Sequence, residues 1–415
     1  MSAVSIKQEG VDAFGWQPDA WPDTPQGWIE RAHSVGDLLA EDAVVRDRAN
    51  RSPHAEVELL KNAGLVTLLA PKALGGGGQR WATAYRVIRE VARGDGSIGQ
   101  LLGYHYLWAW AARLVGTPDQ IEALERRYAA GQLFFGGAVN PRDNDLKVTD
   151  TGDTLVFNGR KSFSTGSRVA DLTVLEGVLE NSGEHVFAVV DSRQDGLEFL
   201  GDWDNLGQRL TESGGVVIRD VEVPWSDALG FVNKRYQPSV YATLNVPAIQ
   251  LVFTSFYLGI AEGALAAALE YNRRHTRPWP YGGDNKARAS DEFYVLDGFG
   301  DLQSRLWASQ ALVEQTVSVV DELLHRPREA VTARERGEAA VKVAAAKQRI
   351  VETGLDIATR LYELTGARAS ANKYGFDIYW RNLRTHSLHD PIAYKRVEVG
   401  RFALLDEIPE PTWYT

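Results

Sequence analysis

Between residues 134 and 230 the apolar residues alternate one by one, whereas on either side they recur every three to four positions. Thr154-Leu155-Val156-Phe157, Leu172-Thr173-Val174-Leu175, Val186-Phe187-Ala188-Val189-Val190 and Gly215-Val216-Val217-Ile218 read as strands. Thr151-Gly152-Asp153, Asn158-Gly159 and Asn181-Ser182-Gly183 read as the turns between them. No helix-length segment intervenes, so the spacing predicts an antiparallel sheet in a small barrel or sandwich. Upstream, Ile29, Ala32, Val35, Leu38, Leu39 and Ala43 follow helical steps, with breaks at Pro53, Pro71 and the run Gly75-Gly76-Gly77-Gly78. Downstream, residues 244–274 are apolar on several faces, as in a helix buried nearly all round. Residues 293–325 and 335–364 give two more long helices. The expected class is α+β: an irregular arm (1–27), a helical domain (28–133), a small antiparallel β domain (134–230) and a helical bundle (231–415).

Several functions are excluded early. The 415 residues include no cysteine, which removes disulfides, thiolate metal sites and a cysteine nucleophile. A formal charge of −10 argues against nucleic-acid binding. No apolar run of membrane-spanning length and no signal-peptide pattern is found, so a cytoplasmic protein without membrane contact is expected. The glycine run lacks the lysine of a phosphate-binding loop and the spacing of a dinucleotide fingerprint, and reads as a flexible turn. Asp95-Gly96-Ser97 starts a further helix, with Asp95 or Ser97 as cap, carrying Tyr104 and Trp108 one turn apart.

Ionisable chemistry concentrates in Tyr379-Trp380-Arg381-Asn382-Leu383-Arg384-Thr385-His386-Ser387-Leu388-His389-Asp390-Pro391. As a helix it aligns Arg381 with Arg384 and crowds His386, His389 and Asp390 into the last turn before Pro391. The arginines suit an anion and the histidines suit proton transfer near neutrality.

The order of domains, with local signatures, resembles the acyl-CoA dehydrogenase superfamily. Those signatures are Pro71-Lys72-Ala73-Leu74-Gly75-Gly76, Ala92-Arg93-Gly94-Asp95-Gly96-Ser97, Gly159-Arg160-Lys161-Ser162-Phe163-Ser164-Thr165, Leu206-Gly207-Gln208-Arg209 with Ser213, and Val221-Glu222-Val223-Pro224. Within it, Gly103-Tyr104-His105, Tyr257-Leu258-Gly259-Ile260-Ala261, Arg277-Pro278-Trp279, Tyr374-Gly375-Phe376-Asp377 and the 380–391 segment resemble flavin-dependent monooxygenases of the dibenzothiophene monooxygenase type.

The resemblance implies a two-component monooxygenase. It would take reduced FMN, or FAD, from a separate NAD(P)H:flavin reductase and use O2, through a flavin C4a-hydroperoxide, to oxygenate a small apolar or heteroatom-containing substrate. It implies His389, Tyr104 and Thr165 as catalytic residues, and Phe163, Thr165, Asn140, Arg277, Arg368, His386 and His389 at the flavin. Tyr104 and Trp203 would contact substrate, with Asp390 orienting a histidine. A homotetramer with sites shared between subunits is expected. Ala138 and Gln100 depart from the asparagine and histidine of the dibenzothiophene enzymes. The alternative is an acyl-CoA dehydrogenase, and a third reading is a flavin-fold binding protein without activity. Dehydrogenation needs a carboxylate base. Residues 228–261 contain no Asp or Glu, and Glu262 and Glu270 are expected to face solvent.

Overall fold

The computed structural model describes residues 14–17 and 19–415. Of the expected arm, residues 1–13 and 18 lie outside the described residues. Helix α1 (Pro25–Ala49) begins slightly before the expected start, because the Thr24 side chain caps the Gly27 amide at 3.1 Å and Pro25 suits the first turn. It is followed by α2 (His54–Asn62), α3 (Trp81–Gly94), α4 (Gly96–Ala109), α5 (Ala111–Val115) and α6 (Pro118–Gly131). α1 and α3 cross at glycine: a Cβ on Gly94 would meet the Gly36 carbonyl oxygen at 1.9 Å. Asp95 caps α4 by accepting from Ser97 N at 3.0 Å and Ile98 N at 3.3 Å. The glycine run is a pinned turn, since Gly77 N bonds Thr67 O and Gly78 N bonds Ala70 O.

The middle of the chain forms β1 (Phe135–Ala138), β2 (Lys147–Asp150), β3 (Thr154–Lys161), β4 (Leu172–Leu179), β5 (His185–Asp191), β6 (Leu197–Phe199) and β7 (Val216–Pro224), then the hairpin β8 (Phe231–Val232) and β9 (Arg235–Tyr236). Pairings β2–β3, β3–β7, β4–β5 and β6–β7 are antiparallel as expected. β1 and β2, however, share one edge of β4 end to end and both run parallel to it. The expectation of a purely antiparallel sheet therefore needs correcting. A chain that leaves β1, makes the β2–β3 hairpin and returns reaches β4 in the same direction as β1. Asn158-Gly159 is not a turn either. It lies inside β3 as a bulge against β7, where Gly159 takes φ +139° and the Asp145 carbonyl leaves no room for a Cβ.

The bundle comprises α7 (Asn245–His275), α8 (Phe293–Leu324), α9 (Ala333–Thr365), α10 (Asp377–His386) and α11 (Ile392–Leu405). α7 is long and apolar enough to cross a membrane, but most of that surface is covered by the rest of the protein. One apolar core runs through the helices and a second fills the space inside the strands.

His105 joins the first two regions. The Phe135 amide donates to its Nδ1 at 2.9 Å, so Nε2 carries the proton and donates to Val66 O at 2.7 Å. Burial pushes its pKa down to about 4. The unfolded chain takes up this proton near pH 6.5 and the folded chain only near 4. Stability is therefore present above pH 6.5 and lost as pH falls through that window, by about 3 kcal/mol for this group alone. Chemical denaturation across pH 4–7 should show this slope, and His105→Gln should flatten it.

Candidate active site

α10 ends at His386, one residue after which Ser387 caps it by bonding Leu383 O. His389 and Asp390 thus lie in the turn beyond the helix, not in its last turn, because Pro391 breaks the ladder. Arg381 does not form an anion site with Arg384. Asp47 holds it at 2.6 Å, Asp377 at 2.8 Å and the Leu206 carbonyl at 2.8 Å.

His386 is buried among Phe253, Phe256 and Tyr257 of α7 and Tyr104 of α4. The Tyr257 hydroxyl donates to the His386 carbonyl at 3.0 Å, which can only accept. The Tyr257 oxygen therefore accepts from His386 Nδ1 at 2.7 Å, and His386 Nε2 accepts from the Tyr104 hydroxyl at 3.2 Å. Burial, with His389 and Lys347 nearby, keeps the His386 imidazole neutral well below its ordinary pKa. His386 thereby fixes Tyr104 from the N-terminal domain against α10.

The His389 ring stacks on His386 at 5.5 Å, with Phe253 at 4.8 Å and Tyr414 at 5.9 Å. Its Nδ1 lies 3.2 Å from Asp390 Oδ1, as expected of an orienting carboxylate. The same oxygen is paired to Lys347, a fully buried lysine of α9 that also donates to Gln250 of α7. Lys347 and Gln250 were not singled out from the sequence. The signal was there: Lys347 falls in step with Val343, Ile350 and Val351 on the buried face of α9, where a charge needs a partner.

The β domain carries further residues expected at the flavin. Phe163 stands 58% exposed at φ +58°, edge-on to Trp203 at 6.2 Å. Trp203 is held by its Nε1 on the Gln208 carbonyl at 2.8 Å. The buried Thr165 hydroxyl shares a hydrogen bond of 2.9 Å with Ser213. This region is tied to α10 because Gln208 N donates to Asn382 Oδ1 at 2.7 Å, one turn before His386. Asn140 is occupied structurally: its side chain donates to Ser162 at 3.2 Å and its carbonyl accepts from Lys161 at 3.0 Å. Ala138 is fully buried in β1, and Gln100 is buried with its Oε1 unpartnered among the described residues.

Arg277 and Arg368 are not brought to this site. Both are exposed and neither has an ion-pair partner among the described residues. They sit where the Thr276 hydroxyl bonds Thr365 O at 3.1 Å. That is the far end of α7, about 27 Å beyond Tyr257 at 1.5 Å per residue.

A cavity of about 560 Å³ opens beside His389, lined by Arg142, Pro391, Tyr394, Val397, Ile408 and Tyr414 among others. The lining is largely apolar, and the C-terminal tail forms one wall. The site suits a flat, polar-edged cofactor. Phe163 and Trp203 lie outside that lining, as do Gln208, whose two side-chain amide atoms are buried without partners among the described residues, and Thr385, whose hydroxyl is likewise unpartnered. Among the described residues the carboxylates here are ion-paired: Asp390 with Lys347, Glu398 with Lys395 at 2.8 Å, Glu407 with Arg401, and Glu262 with Arg89, at 2.7 Å. The expectation that Glu262 faces solvent is thus corrected; α3 packs over that face of α7 and supplies Arg89.

Comparison with known proteins places the chain in a family. Models of the acyl-CoA dehydrogenase N-terminal and C-terminal domains match residues 34–132 and 251–393. The probable FMNH2-dependent monooxygenase SfnC of Pseudomonas putida is 35% identical over 94% of this chain and 98% of its own length. Dibenzothiophene monooxygenase of Mycolicibacterium goodii is 37% identical over 92% and 95%. The structure of TdsC from Paenibacillus sp. A11-2 with FMN and indole superposes with a TM-score of 0.88 at 34% identity, covering 94% of this chain and 99% of that one. The fold and site define an acyl-CoA dehydrogenase-type flavoprotein. Within that superfamily the chain belongs to the FMNH2-dependent monooxygenases related to dibenzothiophene monooxygenase.

Proposed function

We propose that this chain is the oxygenase of a two-component system. It receives reduced FMN from a separate NAD(P)H:flavin reductase in the cytoplasm and inserts one oxygen atom of O2 into a small, largely apolar substrate at sulfur, nitrogen or aromatic carbon. The observation that carries this reading is the site's polar set: His389 faces the cavity with His386 stacked on it and bonded to Tyr104, while the cavity's carboxylates Asp390, Glu398 and Glu407 are each ion-paired. In that set His389 Nε2 has no partner among the described residues and can hydrogen-bond a bound molecule, whereas ion-paired carboxylates do not serve α-proton removal. Bound reduced FMN supplies the electrons that activate O2. Phe163 and Trp203 would hold its ring, and Thr165 and Ser213 would bond its polar edge. The apolar lining and the tail would limit water around the reacting atoms once substrate fills the cavity. Arg277 and Arg368 of a neighbouring subunit suit the phosphate. A homotetramer is supported by exposed Trp279, Tyr281, Phe293 and Trp307, a large apolar display for a lone chain.

The test supplies reductase, NADH, FMN and isotopically labelled O2 with panels of aryl sulfides, sulfinates, amines, indoles and phenols. One labelled oxygen atom in product is expected. Reduction of bound flavin by an acyl-CoA, without oxygenation of any substrate, would instead establish the dehydrogenase.

A further inference from the structure

Lys347 lies outside every signature in the sequence, yet it is one of the most completely buried cations in the protein. Its ammonium group contacts Asp390 and Gln250 and sits 5.2 Å from the Phe253 ring centre. Asp390 Oδ1 therefore serves two donors, Lys347 Nζ and His389 Nδ1. A carboxylate can only accept, so the proton on that edge of His389 is fixed at Nδ1. Nε2 has no partner among the described residues, and the ring is 36% exposed, onto the cavity.

An aspartate alone beside a histidine stabilises the imidazolium. Here the charge of Asp390 is already matched by Lys347. We propose that Lys347 is a positioning residue that holds His389 as a neutral Nδ1–H imidazole, so that Nε2 presents a hydrogen-bond acceptor, and no proton, to an O–H or N–H group in the cavity. This deepens the monooxygenase reading by fixing which hydrogen-bonding role His389 offers, and it rests on that reading only for what occupies the cavity. The other charged or titratable groups around His389 and its cavity are Tyr394, Lys395, Glu398 and Arg401 of α11, Arg142 of the loop after β1, Glu407 and Tyr414 of the tail, Tyr104 of α4 and His386. Lys395 is matched by Glu398 at 2.8 Å and Arg401 by Glu407, and Arg142 is exposed, which leaves Lys347 as the buried cation bonded to Asp390. The directions of shift agree. Burial and Lys347 lower the His389 pKa against the pull of Asp390, and burial brings Lys347 itself down to about 8.

The test reads the flavin-free protein by 15N-histidine NMR, with the His389 signals assigned by their loss in His389→Gln. The wild type should show neutral Nδ1–H His389 at pH 7. Lys347→Met should raise the His389 pKa by about one unit or more, because the carboxylate is left uncompensated. Asp390→Asn should move it down. Lys347→Arg should return it toward the wild-type value. The acidic limb of oxygenation in the loaded enzyme should move upward with Lys347→Met. Opposite shifts in the two variants are not the signature of a merely structural pair. An imidazolium or Nε2–H tautomer in the wild type, or identical His389 titration in wild type and Lys347→Met, overturns the proposal. The wild-type spectrum decides it even where Lys347→Met does not fold. Because no flavin or substrate is needed, a failed oxygenation assay leaves this result standing, and the converse also holds.

Discussion

His389→Ala should cut substrate oxygenation by roughly 100-fold, the scale of losing one positioned proton-handling group. FMN affinity should stay close to that of the wild type, because the ring and phosphate contacts we propose lie on Phe163, Trp203 and the two arginines. The electrons should still leave the flavin, so O2 consumption should persist with hydrogen peroxide as product. Uncoupling of that kind separates a residue that directs oxygen transfer from one that binds cofactor. The measurement is product and peroxide per NADH in the reductase-coupled assay, alongside FMN titration. Normal product yield would remove His389 from the mechanism. Loss of FMN binding in step with activity would reassign it to the cofactor.

What could be read from the sequence follows from how local the deciding interactions are. α3 and the long helices of the bundle announce themselves because their apolar spacing is set within one helix. β3, β4, β5 and β7 carry enough branched residues in alternation to be seen. β1, with the sequence Phe-Gly-Gly-Ala, carries no such signal, since its glycines are required by the close approach of Trp108 and Ser167 and not by strand propensity. Its parallel pairing with β4 joins residues separated by the whole β2–β3 hairpin, which no local pattern encodes. The same distance hid the charge pairs. Glu262 looks like a surface residue until Arg89, on α3, is placed against it. Asp390 looks like a simple partner for His389 until Lys347 arrives from α9. Asn158-Gly159 misled for a different reason: the dipeptide that favours a turn also favours a bulge, and only the β7 register separates the two. The histidine and tyrosine set of the site was legible through resemblance. The separation of Arg277 and Arg368 from that set needed the length of α7.

Lys161→Met should lower the free energy of unfolding by about 3–5 kcal/mol, the cost of leaving one partner of a buried ion pair alone. Lys161 and Glu176 are both fully buried and lie 2.6 Å apart between β3 and β4. Glu176 has a second partner in His185, whose ring rests 5.0 Å from Trp413 of the tail. Lys161 also donates to the carbonyls of Asn140 and Asp143, and so fastens the loop after β1 whose Arg142 lines the cavity. Two effects are therefore combined in one side chain, and a double variant separates them. Lys161→Met with Glu176→Leu removes both buried charges and should recover much of the stability, as apolar replacement of a whole buried pair often does. It should not restore the loop, whose carbonyls still lack their donor. Denaturant unfolding should show the recovery. Hydrogen exchange over residues 139–145 should remain fast in both variants, and oxygenation should remain low in both. A single variant within about 1 kcal/mol of the wild type would mean that the pair is not desolvated as its burial implies. A double variant that regains slow exchange would mean that the loop is held by Asp143 on Ser162, at 2.9 Å, without help from Lys161.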